Sequence, residues 1–140
     1  MSDSNFATAL TCMDGRIAQP VIDWVKAQDS SVQYVDLITE AGMEGALANE
    51  KLANQEATPL SQFKFKAHDV SINGHGSSFI VVVGHEQCAG NPVDETQHIA
   101  DIKKSVDLVK SWHTGAKIAG LYLKHVSDAK WEPQVIVPLQ

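Results

Sequence analysis

A continuous apolar run, Phe79-Ile80-Val81-Val82-Val83, lies within the segment SFIVVVGHEQC at residues 78–88. Strands that are buried on both faces show unbroken apolar runs of this kind, so we predict a central parallel strand over Ser78–Val83. The polar group GHEQC at residues 84–88 follows this strand directly. Its glycine allows the backbone to bend away from the sheet. The segment therefore predicts a buried strand that delivers polar side chains at its carboxyl end.

Strands and helices alternate on the amino-terminal side of this run. Phe6–Thr11 is a short apolar segment, and Val32–Ile38 is rich in residues that favour strands. Between them a helix is predicted to begin at Pro20, because apolar residues recur after it at helical spacing. Residues 42–57 are rich in Ala, Glu, Asn and Lys, and we interpret them as either a polar helix or an ordered loop.

The segment from Thr58 to Gly74 allows two interpretations. Thr58 followed by Pro59 resembles a helix N-cap and first turn, and Gly74 is a predicted helix end. Four apolar side chains would then share one helical face: Leu60, Phe63, Ala67 and Val70. The alternative is a strand through Phe63 and Phe65. We favour the helix.

The carboxyl-terminal part continues the alternation. A long amphipathic helix is predicted after Asn91-Pro92, with Gly115 as its C-cap. Ile118–Val126 then forms a strand, and Gln134–Leu139, with prolines at its borders, suits a short edge strand. The whole pattern predicts an α/β fold with a mostly parallel β-sheet, about four parallel strands plus a short edge strand, flanked by helices.

Length and composition restrict the function further. A chain of 140 residues is expected to form a single domain over residues 1–140. The net charge of -6, without a basic cluster, argues against nucleic acid or a membrane surface as partner and favours a small-molecule substrate. No segment has the pattern of a membrane span or a secretory signal, so we expect a cytoplasmic protein whose two cysteines stay reduced.

Two polar groups follow predicted strands: CMDGR at residues 12–16 and GHEQC at residues 84–88. The carboxyl ends of parallel strands share one edge of a sheet, where ligands bind in such folds. Cys12, His85 and Cys88 suit zinc, and three protein ligands leave the open position that catalytic zinc sites keep. Asp14 and Arg16 add an expected ion pair, which would orient Asp14 to accept a hydrogen bond from zinc-bound water or to fill that position itself.

These motifs resemble the β-class carbonic anhydrases: CxDxR, and later HxxC after an apolar strand that ends in Gly-His. The segment Glu40-Ala41-Gly42 is similar to an Ala-Gly pair that follows the second strand in that family. The resemblance implies that Cys12, His85 and Cys88 bind Zn²⁺ and that Asp14 and Arg16 form the catalytic dyad. It further implies a lyase that reversibly hydrates carbon dioxide to bicarbonate by zinc-bound hydroxide, and a homodimer.

The sequence also departs from the family pattern. Ala89 stands where the family commonly has glycine after the second cysteine, and residues 39–43 read TEAGM instead of RNAGN. Eleven residues precede Cys12, so we expect the N-terminal helical arm of the family to be absent. Glu40 and Glu44 are expected near the site, where they would make it more negative. Two alternatives therefore stay open: a zinc hydrolase for another small substrate, such as carbonyl sulfide or carbon disulfide, or a non-catalytic zinc-stabilised domain.

The other histidines have weaker signals. Four have no partner at ligand spacing and are interpreted as surface or helix-face residues: His68, His98, His113 and His125. His75 lies in a glycine-flanked turn, where it is either a proton shuttle near the metal or, as we favour, a plain loop residue. The tryptophans Trp24, Trp112 and Trp131 are predicted to anchor the core or an interface.

Overall fold

A computed structural model of the chain describes residues 5–49 and 58–140. Its five-stranded sheet contains β1 (Phe6–Thr11), β2 (Tyr34–Thr39), β3 (Phe79–His85), β4 (Lys117–Ser127) and β5 (Lys130–Val137). The strand order is β2-β1-β3-β4-β5. The pairs β1–β2, β1–β3 and β3–β4 are parallel, whereas β5 is antiparallel to β4. The predicted α/β fold, with four parallel strands and one edge strand, is confirmed.

Helices cover both faces of the sheet. They are α1 (Ala18–Gln28), α2 (Met43–Asn49), α3 (Leu60–Lys64), which continues directly into a π-helix (Phe65–Gly74), and α4 (Glu95–Lys110). Successive side chains of a strand point to opposite faces, so β3 contributes to two apolar clusters. Ile80 and Val82 pack with α2, the π-helix and α4, whereas Val81 and Val83 pack with α1. No helix in the described ranges has the length and apolar character that a membrane crossing requires.

Strand β3 occupies the middle of the sheet, as its apolar run predicts. All seven of its residues are buried. Because β1 and β3 are parallel neighbours, with Thr8 opposite Ile80 and Leu10 opposite Val82, the segments that follow them emerge on the same edge of the sheet. This topology brings the two polar groups together.

The helix predicted after Pro59 is confirmed, but its second half is a π-helix, a rare geometry with i→i+5 hydrogen bonds. The wider turn changes which residues face the core. Phe63, Ala67 and Ser71 are buried, whereas Val70, expected on the apolar face, is 40% exposed. The N-cap prediction at Thr58 is wrong, because its hydroxyl donates to the Glu40 carboxylate instead of accepting from the helix.

Two other helices also differ from expectation. Residues 43–49 form the helix α2, but it is buried rather than polar, because it packs against α4. Residues 50–57 of the same prediction lie outside the described ranges. Helix α4 ends at Lys110 with Ser111 as its C-cap, so the C-cap prediction at Gly115 is wrong. Gly115 has a positive φ of 82° in the turn that leads to β4.

The edge strand is longer than predicted. β5 begins at Lys130, four residues before the expected start at Gln134, and Pro133 lies inside it opposite Leu123. A proline is compatible with this position because β5 has a neighbour on one side only. The added length brings Trp131 opposite His125, close to the carboxyl end of β3.

Candidate metal centre

Three side chains that the sequence singles out meet at the carboxyl ends of β1 and β3. Cys12 follows the last residue of β1, His85 is the last residue of β3, and Cys88 lies in the turn beyond it. The two sulfur atoms are 3.9 Å apart, and the three donor atoms all lie within 4.8 Å of one another. All three residues are buried. The arrangement could hold one metal ion between a strand end and a neighbouring turn.

The tautomer of His85 suits metal binding. Its Nδ1 donates to the carbonyl oxygen of Glu86 at 2.8 Å, so the lone pair of the neutral ring is on Nε2. That Nε2 atom is buried and has no hydrogen-bond partner among the described residues. A buried acceptor without a donor is costly, and a bound cation would remove this cost. The donor set of two sulfurs and one imidazole nitrogen fits zinc.

The contact between the two cysteines shifts their pKa values in opposite directions. The hydrogen bond from the Cys88 thiol lowers the pKa of Cys12 to about 4, assisted by His85 and by the Gly42 backbone N–H, which lies 3.5 Å from the sulfur. The same contact with Cys12, together with burial, raises the pKa of Cys88. Burial opposes a charged His85, but Cys12, the Glu86 carbonyl and Asp14 together raise the His85 pKa. The site therefore concentrates negative charge where a cation would bind.

Asp14 and Arg16 form the expected ion pair beside these three residues. The Arg16 guanidinium donates to Asp14 Oδ2 at 2.7 Å and to Oδ1 at 3.1 Å, and the Arg16 backbone N–H donates to Oδ1 at 2.9 Å. These hydrogen bonds lower the pKa of Asp14 to about 2. Asp14 Oδ2 also lies 4.0 Å from His85 Nε2. An ionised carboxylate is thus held at the open side of the candidate metal centre.

Sequence reasoning missed two residues that contact Arg16. Gln87 accepts from the guanidinium through its side-chain oxygen at 3.2 Å and its backbone carbonyl at 3.3 Å. The Gln87 backbone has a φ of 61°, in the left-handed region that is uncommon for residues other than glycine. The ring of Trp131 lies 5.2 Å from the guanidinium carbon and 5.9 Å from the His85 ring. A role for Gln87 could have been predicted because it lies between His85 and Cys88 in the sequence. No local sequence pattern indicates that Trp131 lies near Arg16.

Other candidate residues lie elsewhere. His75 contacts Asp36 Oδ2 at 2.6 Å and stacks on Phe6, at the amino end of β1, whereas the metal centre is at the carboxyl end. This position argues against a proton shuttle, and His75 is the C-cap of the π-helix rather than a loop residue. His98 lies on α4, in agreement with the helix-face interpretation, but it is buried and does not lie at the surface. Glu44 is also buried and accepts from His98 at 2.8 Å.

Comparison with known structures identifies the fold. The chain is similar to the β-carbonic anhydrase isoform I of Trichomonas vaginalis, with a TM-score of 0.60, 17% identity, and coverage of 96% of this chain and 83% of that one. A second match is the β-carbonic anhydrase CafA of Aspergillus fumigatus, with a TM-score of 0.47, 13% identity, and coverage of 97% and 77% respectively. Among the curated proteins, none matches the chain.

The fold and the Cys-His-Cys group together define an α/β protein of the β-carbonic anhydrase type with a candidate metal site. A family model with the description "Putative carbonic anhydrase" matches residues 2–137. Because this match extends over nearly the whole chain, the protein belongs to that family. The resemblance drawn from the two motifs is confirmed.

Proposed function

We propose that this protein is a zinc-dependent, carbonic anhydrase-like enzyme that reversibly hydrates carbon dioxide to bicarbonate. The observation that carries the proposal is the convergence of Cys12, His85 and Cys88, with their donor atoms within 4.8 Å of one another, beside the Asp14–Arg16 pair. Family membership supports the substrate class. A structural zinc site would need no such ion pair at its open side.

The residues around the metal have distinct roles in this proposal. Cys12, His85 and Cys88 would hold Zn²⁺, whose chemistry when bound is to lower the pKa of a water molecule to about 7. Arg16 keeps Asp14 ionised and fixes its orientation through two guanidinium contacts. With a pKa of about 2, Asp14 accepts a hydrogen bond near neutral pH rather than storing a proton. Its Oδ2 is the atom that would orient the attacking water.

Metal analysis and stopped-flow carbon dioxide hydration test this proposal. The wild type is expected to contain one zinc per chain, and Asp14→Asn and Arg16→Ala should each lower kcat/KM about a hundredfold with zinc content unchanged. Asp23→Asn is the matched control, because this exposed carboxylate on α1 contacts Gln19 and should not affect the rate.

Three results would contradict the proposal in different ways. A wild type that binds no zinc would exclude the metal centre. Bound zinc without hydration would exclude carbon dioxide as substrate, and assays with carbonyl sulfide and carbon disulfide would then separate a hydrolase from a non-catalytic domain. Hydration that survives both dyad substitutions would exclude the roles given to Asp14 and Arg16.

We further propose that residues 1–140 form one domain and that two chains form a homodimer. We also propose that the protein is located in the cytoplasm. Support for a dimer comes from the edge strand β2, on which Tyr34 is 55% and Leu37 38% exposed, since unpaired sheet edges with apolar side chains are usually covered. A reducing compartment would keep both cysteine ligands as thiols. Light scattering of the reduced protein tests the dimer, and a monomeric mass would exclude it.

A further inference from the structure

A buried polar cluster lies next to the turn that contains Cys88. At its centre is Glu44 of α2, whose side chain has no solvent exposure. One carboxylate oxygen, Oε1, accepts from the Asn91 side-chain amide at 2.8 Å and from His98 Nδ1 at 2.8 Å. Asn91 also donates to Asp101 on α4 at 3.1 Å. The other carboxylate oxygen of Glu44, Oε2, is buried and has no hydrogen-bond partner among the described residues. Because burying a carboxylate in this way is costly, its presence indicates a structural role for Glu44.

The cluster joins two segments that both contact the metal ligands. A Cβ atom on Gly90 would lie 2.4 Å from the backbone carbon of Ala41, and one on Gly45 would lie 2.6 Å from Asn91 Cγ. The start of α2 and the turn after Cys88 therefore pack almost backbone against backbone. From the start of α2, the Gly42 N–H lies 3.5 Å from the Cys12 sulfur, and Cys88 precedes Asn91 by three residues in the turn.

We propose that Glu44 is a positioning residue for the metal centre. Its carboxylate holds the Asn91 side chain and thereby holds the turn that contains Cys88 against the start of α2, whose Gly42 N–H contacts the Cys12 sulfur. This inference rests on the proposed function, because it concerns how the same site binds zinc. Groups one shell beyond the ligands fix ligand geometry in metal sites, and their loss typically weakens metal affinity about 10- to 100-fold.

The dissociation constant of Zn²⁺, measured by chelator competition on the full chain, tests the proposal. Glu44→Met removes the carboxylate that accepts the Asn91 hydrogen bond and keeps a side chain of similar volume. Asn91→Ala removes the side-chain amide that donates this hydrogen bond. Each is expected to weaken zinc binding about 10- to 100-fold. The double variant should bind zinc no more weakly than the single variant with the larger loss of affinity, because both substitutions break the same connection. Glu44→Gln keeps an acceptor oxygen and should retain the wild-type affinity.

Ser105→Ala separates positioning from general stability. The Ser105 hydroxyl donates to the backbone carbonyl of Glu44 at 2.9 Å, not to its carboxylate. This variant should unfold at a lower temperature than the wild type yet bind zinc equally well. If its zinc affinity falls in proportion to its stability, the positioning role is wrong.

The remaining outcomes are also decisive. Wild-type affinity in Glu44→Met would overturn this inference alone, provided that the wild type binds zinc and hydrates carbon dioxide. A wild type without zinc affinity would overturn the inference together with the proposed function. If Glu44→Met does not fold, Asn91→Ala decides: wild-type affinity in that variant overturns the proposal, and weakened affinity supports it. The thiolate absorption bands of the Co²⁺-loaded variants give an independent readout, since a displaced Cys88 sulfur would shift them.

Discussion

Arg16, the single arginine of the chain, is held from three directions. Asp14 accepts from its guanidinium on one side, Gln87 accepts on another, and the Trp131 ring lies 5.2 Å from the guanidinium carbon. An arginine side chain has many rotamers, so several contacts are needed to hold one geometry. Because Arg16 orients Asp14, the position of the Arg16 side chain affects the catalytic role proposed for Asp14.

We expect Trp131→Leu to mobilise the Arg16 side chain, because leucine offers no aromatic face for a guanidinium. The ¹⁵N heteronuclear NOE of the Arg16 Nε–H signal, which is unambiguous in a chain with one arginine, should fall. Trp131→Phe keeps an aromatic face and should retain the wild-type value. An unchanged NOE in the leucine variant would mean that Asp14 and Gln87 suffice to hold Arg16.

At the scale of elements, the π-helix decides which side chains of residues 65–74 reach the core. Phe63 is 1% exposed and Ser71 2% exposed, whereas Val70 is 40% exposed. A regular α-helix would place Val70, seven residues after Phe63, on the same face as Phe63. The wider π turn instead turns Ser71 toward the sheet, where its hydroxyl donates to Asp36 at 2.7 Å.

Two alanine substitutions test this geometry through the free energy of unfolding, measured by urea denaturation. Phe63→Ala should lower it by about 3–5 kcal/mol, because it leaves a cavity in the core. Val70→Ala should change it by no more than about 0.5 kcal/mol, as expected at an exposed position. A large loss from Val70→Ala would indicate that the segment forms a regular α-helix with Val70 buried.

For the whole molecule, the candidate metal centre connects β1 to the turn after β3, segments far apart in the chain. An ion that binds the folded chain and not the unfolded chain stabilises folding by mass action. The two sulfurs are 3.9 Å apart and form no disulfide, so in reducing conditions the proposed zinc ion is the cross-link expected between these segments.

Removal of zinc is therefore expected to lower the free energy of unfolding. At free zinc near 1,000 times its dissociation constant, the difference should be about 4 kcal/mol. Urea denaturation with zinc in excess and with a chelator, both under reducing conditions, measures it. Cys88→Ser should abolish most of the zinc dependence. Equal midpoints for the wild type in the two conditions would contradict the proposed metal centre.

The amino-acid sequence determined the sheet and the three residues that meet at its edge. The apolar run of β3 is encoded locally, and so is the period of α4. Cys12, His85 and Cys88 could be predicted because each lies at or just after the end of an apolar strand, and parallel strands emerge on one edge. These inferences needed only neighbours along the chain and one general rule of sheet geometry.

Only the tertiary structure decided which distant side chains support the site. Trp131 reaches Arg16 because β5 pairs antiparallel to β4 in a particular register. Glu44 and His98 meet because α2 packs on α4, although both residues are polar and look solvent-exposed in sequence. Such contacts depend on strand register and helix packing, which are set by the packing of the whole core. The sequence next to these residues therefore contains no periodic pattern that would predict the contacts.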